Sequence, residues 1–222
     1  MPGVIFDMDG VLVASGPAHA ASWKMVAAEH GLSISDEEFT RTFGRQSADI
    51  IRLLWTRDVT DEQVRAIDNR KEAIYRDLIH GMVPLTIGVR ETLQHLHSAG
   101  MTLSVATSGP LENVEVVVSE GRLAPFFATI VTRVDIARGK PEPDCFLLAA
   151  ERCGLSPREC VVVEDAPVGV QAAVAAGMAC IAFVSSNTPE SLWEAGATRV
   201  VERMSEITPG LVSELLETTA RP

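Results

Sequence analysis

From residue 84 onward, short runs dominated by apolar residues alternate with longer stretches whose apolar positions recur every three or four residues. The short runs read as buried strands and the long stretches as amphipathic helices. The pattern predicts helices over 88–99, 111–120, 144–153, 168–176 and 190–195. It predicts strands over 101–106, 128–132, 160–163, 179–184 and 198–201. Gly100, Gly121, Gly154 and Gly177 follow four of these helices, where a C-terminal glycine is expected. Such βα alternation implies a mostly parallel sheet with helices on both faces. A further apolar run, Val4-Ile5-Phe6, opens the chain and reads as one more buried strand.

The stretch from about residue 14 to 81 breaks this rhythm. It carries helical patterns over 18–30, 35–39, 47–55 and 61–79 and no convincing strand. Ser35 followed by Glu38 is a capping-box pattern. Gly16-Pro17 and the segment 81–84 bracket the stretch as candidate hinges. The expected organisation is a discontinuous α/β domain, 1–14 with 82–222, and an inserted all-helical domain, 15–81. The chain shows no internal repeat and no low-complexity segment.

The strand ends carry the candidate chemistry, because open α/β sheets bind ligands at the carboxyl ends of their strands. The first run ends in Asp7 and Asp9, followed at once by Gly10. Two acids so close repel each other unless a cation or a shared proton compensates. The run 103–106 ends in Thr107-Ser108-Gly109. Lys140 sits in a turn, Arg138-Gly139-Lys140-Pro141, just before a helical pattern. The run 161–163 ends in a second acid pair, Glu164-Asp165. Each residue has an ordinary alternative: a solvated strand-end acid, a turn glycine, a helix cap for Thr107 or Ser108, a surface charge for Lys140. Asp144 reads as a helix cap.

In series, these four motifs resemble the haloacid dehalogenase-like phosphotransferase superfamily over nearly the whole chain. The resemblance implies a Rossmann-like, doubly wound, mostly parallel sheet with an inserted helical cap that closes over the acids. It implies Asp7 as nucleophile, forming an aspartyl-phosphate, and Asp9 as general acid/base. Lys140 would pair with Asp7 and the phosphoryl group. Gly10, Thr107, Ser108, Gly109 and Lys140 would bind phosphate. Mg²⁺ would be held by Asp7, Asp9, Glu164 and Asp165, with Asp165 a direct ligand and Glu164 direct or through water. The second acid, Asp9, favours phosphate-ester chemistry over carbon–halogen cleavage. Likeness to the β-phosphoglucomutase-like branch implies His19 and Lys71 as cap residues that face substrate, and Arg45, after Gly44, is a further candidate to face the site from the cap loop. That mutase has a cap arginine where Ser47 stands here, and the usual acids flanking the hinge are replaced by Ala14 and Gly16.

Composition narrows the partners. Nineteen basic against 30 acidic residues give a formal charge of −11, which argues against general nucleic-acid binding. An anionic substrate therefore needs local positive charge. Cys145, Cys153, Cys160 and Cys180 form no CxxC pair and are expected as buried or half-buried free thiols. The first residues lack a signal-peptide pattern, and no apolar stretch reaches membrane-spanning length. The expectation is a cytoplasmic, monomeric phosphatase of a small phosphorylated metabolite, either a sugar phosphate or a phosphoglycolate-like acid. Two other readings are a phosphomutase using the same residues and a non-catalytic binding protein on the same scaffold.

Overall fold

The computed structural model describes residues 1–42, 47–55 and 59–219. Strand β1 (Gly3–Phe6) precedes helices α1 (Gly16–Glu29), α2 (Asp36–Thr42), α3 (Ser47–Leu54) and α4 (Asp61–Ile79). The alternating part runs α5 (Val89–Ser98), β2 (Thr102–Ala106), α6 (Leu111–Glu120), β3 (Phe127–Val131), α7 (Asp144–Arg152) and β4 (Cys160–Glu164). It continues with α8 (Pro167–Ala175), β5 (Ala179–Phe183), α9 (Pro189–Glu194), β6 (Arg199–Val201) and α10 (Pro209–Thr219). The chain divides into two compact units, Met1–Ala14 with Val83–Pro222, and Ser15–Met82.

The first unit holds a six-stranded sheet in the order β3-β2-β1-β4-β5-β6, and every pairing is parallel. This is the doubly wound order, in which successive strands leave β1 first to one side and then to the other. The crevice at that switch point lies at the carboxyl end of β1. Strand residues alternate between two buried faces. Ile5, Val162 and Cys180 pack on one side with Cys145, Phe146, Ala149, Val170 and Ala173 of α7 and α8. Val4, Phe6, Val161 and Val163, from the alternate positions, are equally buried. That is why these strands read as unbroken apolar runs rather than as alternating ones.

Helix α10 is absent from the sequence pattern. It lies beyond the last element that the pattern predicts, and its Val212 and Leu215 are buried.

Among the described residues of the second unit every regular element is a helix, and the unit has its own core. Trp23, Val26 and Ala27 of α1 pack with Ile50, Ile51, Val64, Ile67 and Ile74. The reciprocal pair expected at Ser35 and Glu38 forms: Glu38 N–H donates to Ser35 Oγ at 3.2 Å, and Ser35 N–H to Glu38 Oε2 at 2.9 Å. A second capping box starts α4, where Thr60 Oγ1 accepts from Gln63 N–H at 3.3 Å and Thr60 N–H donates back to Gln63 Oε1 at 2.9 Å. Thr60→Ala should therefore lower stability by about 1 kcal/mol. Urea unfolding followed by circular dichroism measures it, and an unchanged midpoint would show that the cap contributes nothing.

Candidate active site

Sheet register gathers the site. Phe6 pairs with Val105 on one side and with Val163 on the other. The next residues along each strand, Asp7, Ala106 and Glu164, therefore stand at one level, with Thr107 and Asp165 one step beyond. Asp7 N–H still donates to Val163 O at 2.9 Å, which anchors the acid to the end of β4. The chain then turns sharply. Met8 O accepts from the N–H groups of Leu12 and Val13, and Gly10 adopts φ +79°. Gly10 is required on two grounds, since a Cβ there would also fall inside the Asp165 carboxylate.

Lys140 reaches this level from the turn before α7 and bridges the two acids. Its Nζ lies 2.5 Å from Asp7 Oδ1 and 2.6 Å from Glu164 Oε1, with the ring of Phe146 4.9 Å away. All three side chains are at least nine-tenths buried. Glu164 has few lone pairs to spare, because Oε2 also accepts from the N–H groups of Asp165 (2.7 Å) and Ala166 (2.8 Å). Helix α8 makes room for this carboxylate only because residue 169 is glycine; a Cβ there would overlap it.

The charge balance is strongly negative. Burial pushes the Asp7 carboxyl up; Lys140 pulls it back and Glu164 pushes again, leaving it at about 7. Burial, then Glu164 and Asp7, hold Asp165 well above the usual carboxylate range. Burial pulls the Lys140 ammonium down, but Asp7 and Glu164 outweigh it and keep lysine firmly protonated. Burial likewise lifts the neighbouring Cys145 thiol to about 11, so it is inert as a nucleophile.

The remaining core residues fall around this bridge. Thr107 is buried and does not cap α6, whose N-cap is Pro110; instead its Oγ1 accepts from Gly109 N–H at 3.1 Å. A Cβ at Gly109 would stand 3.4 Å from Thr107 Oγ1 and 3.8 Å from Asp9 Oδ2, which places the Asp9 carboxylate beside this loop. Ser108 is exposed. Asp144, expected as a helix cap, is not one. It is the first residue of α7 and takes a two-pronged contact from Arg138, at 3.2 and 2.7 Å, while Pro143 holds the cap position. Lys140 lies in the chain between these two partners.

Among the described residues, no group of three or more His, Cys, Asp or Glu side chains is gathered to cage an ion by itself. Glu164 is engaged by Lys140 and two N–H groups, so the oxygen donors left are chiefly Asp7 and Asp165. A pair of carboxylates completed by a backbone carbonyl, water and a ligand's own oxygens suits Mg²⁺, which is rarely held in all-protein cages. The raised carboxyls of Asp7 and Asp165 also call for a cation. The donor chemistry therefore fits Mg²⁺.

In the helical unit, His19 and Lys71 come together. Lys71 Nζ lies 2.9 Å from His19 Nδ1 and 2.8 Å from Glu72 Oε1, and the His19 ring stacks on Tyr75 at 4.0 Å. An ammonium has only donors, so Nδ1 accepts and the ring proton belongs on Nε2. Glu72, Ser185, Asn187 and Gly169 were not singled out from the sequence. Ser185 and Asn187 follow β5 as the polar end of an apolar strand, the same signal that marks Thr107. Arg45 lies outside the described residues.

The sequence profile of the haloacid dehalogenase-like hydrolases matches residues 1–177. The chain is 37% identical over 190 residues to hexitol phosphatase A of Escherichia coli (strain K12), covering 84% of this chain and 85% of that protein. It is 29% identical over 221 residues to the β-phosphoglucomutase of Bacillus subtilis (strain 168), covering 96% and 95%. A crystal structure of a HAD hydrolase of family IA, variant 3, from Entamoeba histolytica superposes with a TM-score of 0.91 at 28% identity, covering 98% of this chain and all of that one.

Two outcomes follow from the geometry. Gly169→Ala should displace the Glu164 carboxylate and lower the melting temperature; a melting temperature equal to the parent's would show that the helix has slack there. Without metal, the folded state binds its Asp7 proton more tightly than the unfolded chain does, so this group's stabilisation is present below about pH 4 and lost as pH rises to about 7. The melting temperature of Asp7→Asn should therefore gain on that of the parent across this window in chelator, and a constant difference would contradict it.

Proposed function

The chain belongs to the haloacid dehalogenase-like hydrolases, and from that membership we propose a Mg²⁺-dependent phosphatase that hydrolyses the phosphate monoester of a small sugar, polyol or phosphoglycolate-like metabolite. The observation that carries this reading is the buried bridge from Lys140 to Asp7 and Glu164, with Asp9, Thr107 and Asp165 at the same strand ends.

Asp7 is the nucleophile. Its carboxylate attacks phosphorus, and the bond from phosphorus to the substrate oxygen breaks. Asp9 gives its proton to that leaving oxygen. It then takes a proton from water, whose oxygen attacks the aspartyl-phosphate and restores Asp7. Lys140 holds Asp7 in place and offsets charge as an anion approaches a carboxylate. Thr107 and the N–H groups of its loop bind phosphoryl oxygens, with Gly10 giving close backbone approach. Mg²⁺, held by Asp7, Asp165 and the Asp9 backbone carbonyl, would neutralise charge on the transferring phosphoryl group. Glu164, engaged on both oxygens, keeps Lys140 and the Asp165 backbone in position.

The helical unit is proposed as the cap that selects substrate, with His19 and Lys71 among its selecting groups. Among the described residues no helix is long and apolar enough to cross a membrane, and we place the activity in the cytoplasm. Phosphomutase activity is the second reading, favoured by the likeness to β-phosphoglucomutase over 96% of the chain.

Phosphate release from a panel of sugar, polyol and two-carbon acid phosphates tests the proposal. Release should require Mg²⁺ and stop in chelator. Asp7→Asn should abolish it, and Asp9→Asn should lower kcat by about 10²–10⁴-fold. Parent-like turnover by Asp7→Asn would remove Asp7 as nucleophile. Isomerised glucose phosphate, formed from glucose 1-phosphate and a bisphosphate primer without free phosphate, would establish the mutase instead.

A further inference from the structure

Asp165 is held from three directions, and one set of holding groups comes from the loop after β5. Strands β4 and β5 pair with Glu164 opposite Ala182, so the residues after β5 run beside Asp165. There the Ser185 hydroxyl donates to Asp165 Oδ2. Asn187 Nδ2 donates to the Asp165 backbone carbonyl at 3.0 Å. From the other strand end, Glu164 Oε2 accepts the Asp165 N–H at 2.7 Å. Gly10 closes the remaining side, with no space between its Cα and the carboxylate for a Cβ. The carboxylate is 4% exposed, and its second oxygen, Oδ1, takes no hydrogen bond among the described residues.

We infer that Ser185 and Asn187 are positioning residues that turn Asp165 so that a single oxygen, Oδ1, is offered to the divalent cation. The inference rests on the Mg²⁺-dependent reading given above. Its consequence is selectivity between cations. A carboxylate restricted to one oxygen suits the small, octahedral Mg²⁺, whereas Ca²⁺ accepts carboxylates through both oxygens at longer distances. The Ser185 hydroxyl engages the oxygen that a two-oxygen mode would need. Partners of this kind, one step out from the ion, change metal affinity about 10–100-fold when removed.

Calorimetric titration of the full chain with Mg²⁺ and, separately, Ca²⁺ tests this without reference to turnover. In Ser185→Ala, Mg²⁺ affinity should fall about tenfold or more, and Ca²⁺ affinity by clearly less, so that the ratio of the two shifts toward Ca²⁺. Ser185→Thr keeps the hydroxyl and should restore both. Asn187→Ala should move the ratio in the same direction by a smaller amount. Ser185 is exposed, so its removal is not expected to cost the fold, and melting temperatures check that. An unchanged Mg²⁺ to Ca²⁺ ratio in Ser185→Ala, while the parent binds Mg²⁺, overturns the inference and leaves the phosphatase reading intact. A parent chain that binds no Mg²⁺ overturns both.

Discussion

The Lys140 ammonium, buried between Asp7 and Glu164, is the contact on which the rest of the site depends. It joins three segments that are far apart in sequence: the end of β1, the turn before α7 and the end of β4. Removing three charged groups from water is costly, and their mutual attraction repays that cost only when the geometry is good and the remaining lone pairs are satisfied. Both conditions are met around Glu164, whose second oxygen takes two backbone N–H groups. A buried triad of this kind is weak support for stability, since well-packed apolar residues would serve as well. Its presence is better explained by what it leaves behind: a carboxylate, Asp7, fixed in direction at the mouth of the sheet's switch point.

Fixing charged groups this closely restricts the backbone around them. At two places the side chain had to be given up altogether. Gly10 lies against the Asp165 carboxylate and Gly169 against that of Glu164, and in both a Cβ would overlap oxygen. These glycines differ in kind. Gly10 also has positive φ, so turn geometry alone would select it; Gly169 sits inside α8, where glycine costs about 1 kcal/mol relative to alanine. The helix therefore accepts a local weakness so that an acid from the neighbouring strand can be housed beside it.

Much of this was legible in the sequence because parallel strands buried on both faces leave a plain signature. Short, mainly apolar runs marked the strands, and the polar residues closing them marked Asp7, Thr107, Glu164 and Asp165. Helix edges were legible where glycine or a capping box ended them, as at Gly121 and Ser35. What was not legible is which side chains meet, even where they lie only a few residues apart. Gly169 carries no signal of its own in the sequence; its role appears only when the end of β4 sets Glu164 beside it. Asp144 reads as a cap because acids before helices usually are, yet it is the first residue of α7 and its carboxylate pairs with Arg138, six residues earlier. Ser185 and Asn187 carried the same strand-end signal as Thr107, but only the pairing of β5 with β4 gives that signal a target.

The distribution of charge links the cation to the substrate. The chain carries a formal charge of −11, and Lys140 at the strand ends is already matched by two carboxylates. Asp9 and Asp165 add two more acids at the same strand ends, so four carboxylates face a single ammonium. Such a site repels a phosphate ester when all four acids are ionised. On the proposed reading, a divalent cation held by Asp7 and Asp165 would reverse this local balance beside the strand ends and would favour the ionised form of Asp7. Anion binding and activation of Asp7 would then be one electrostatic event, and on the same proposed reading the orientation of Asp165 would govern both.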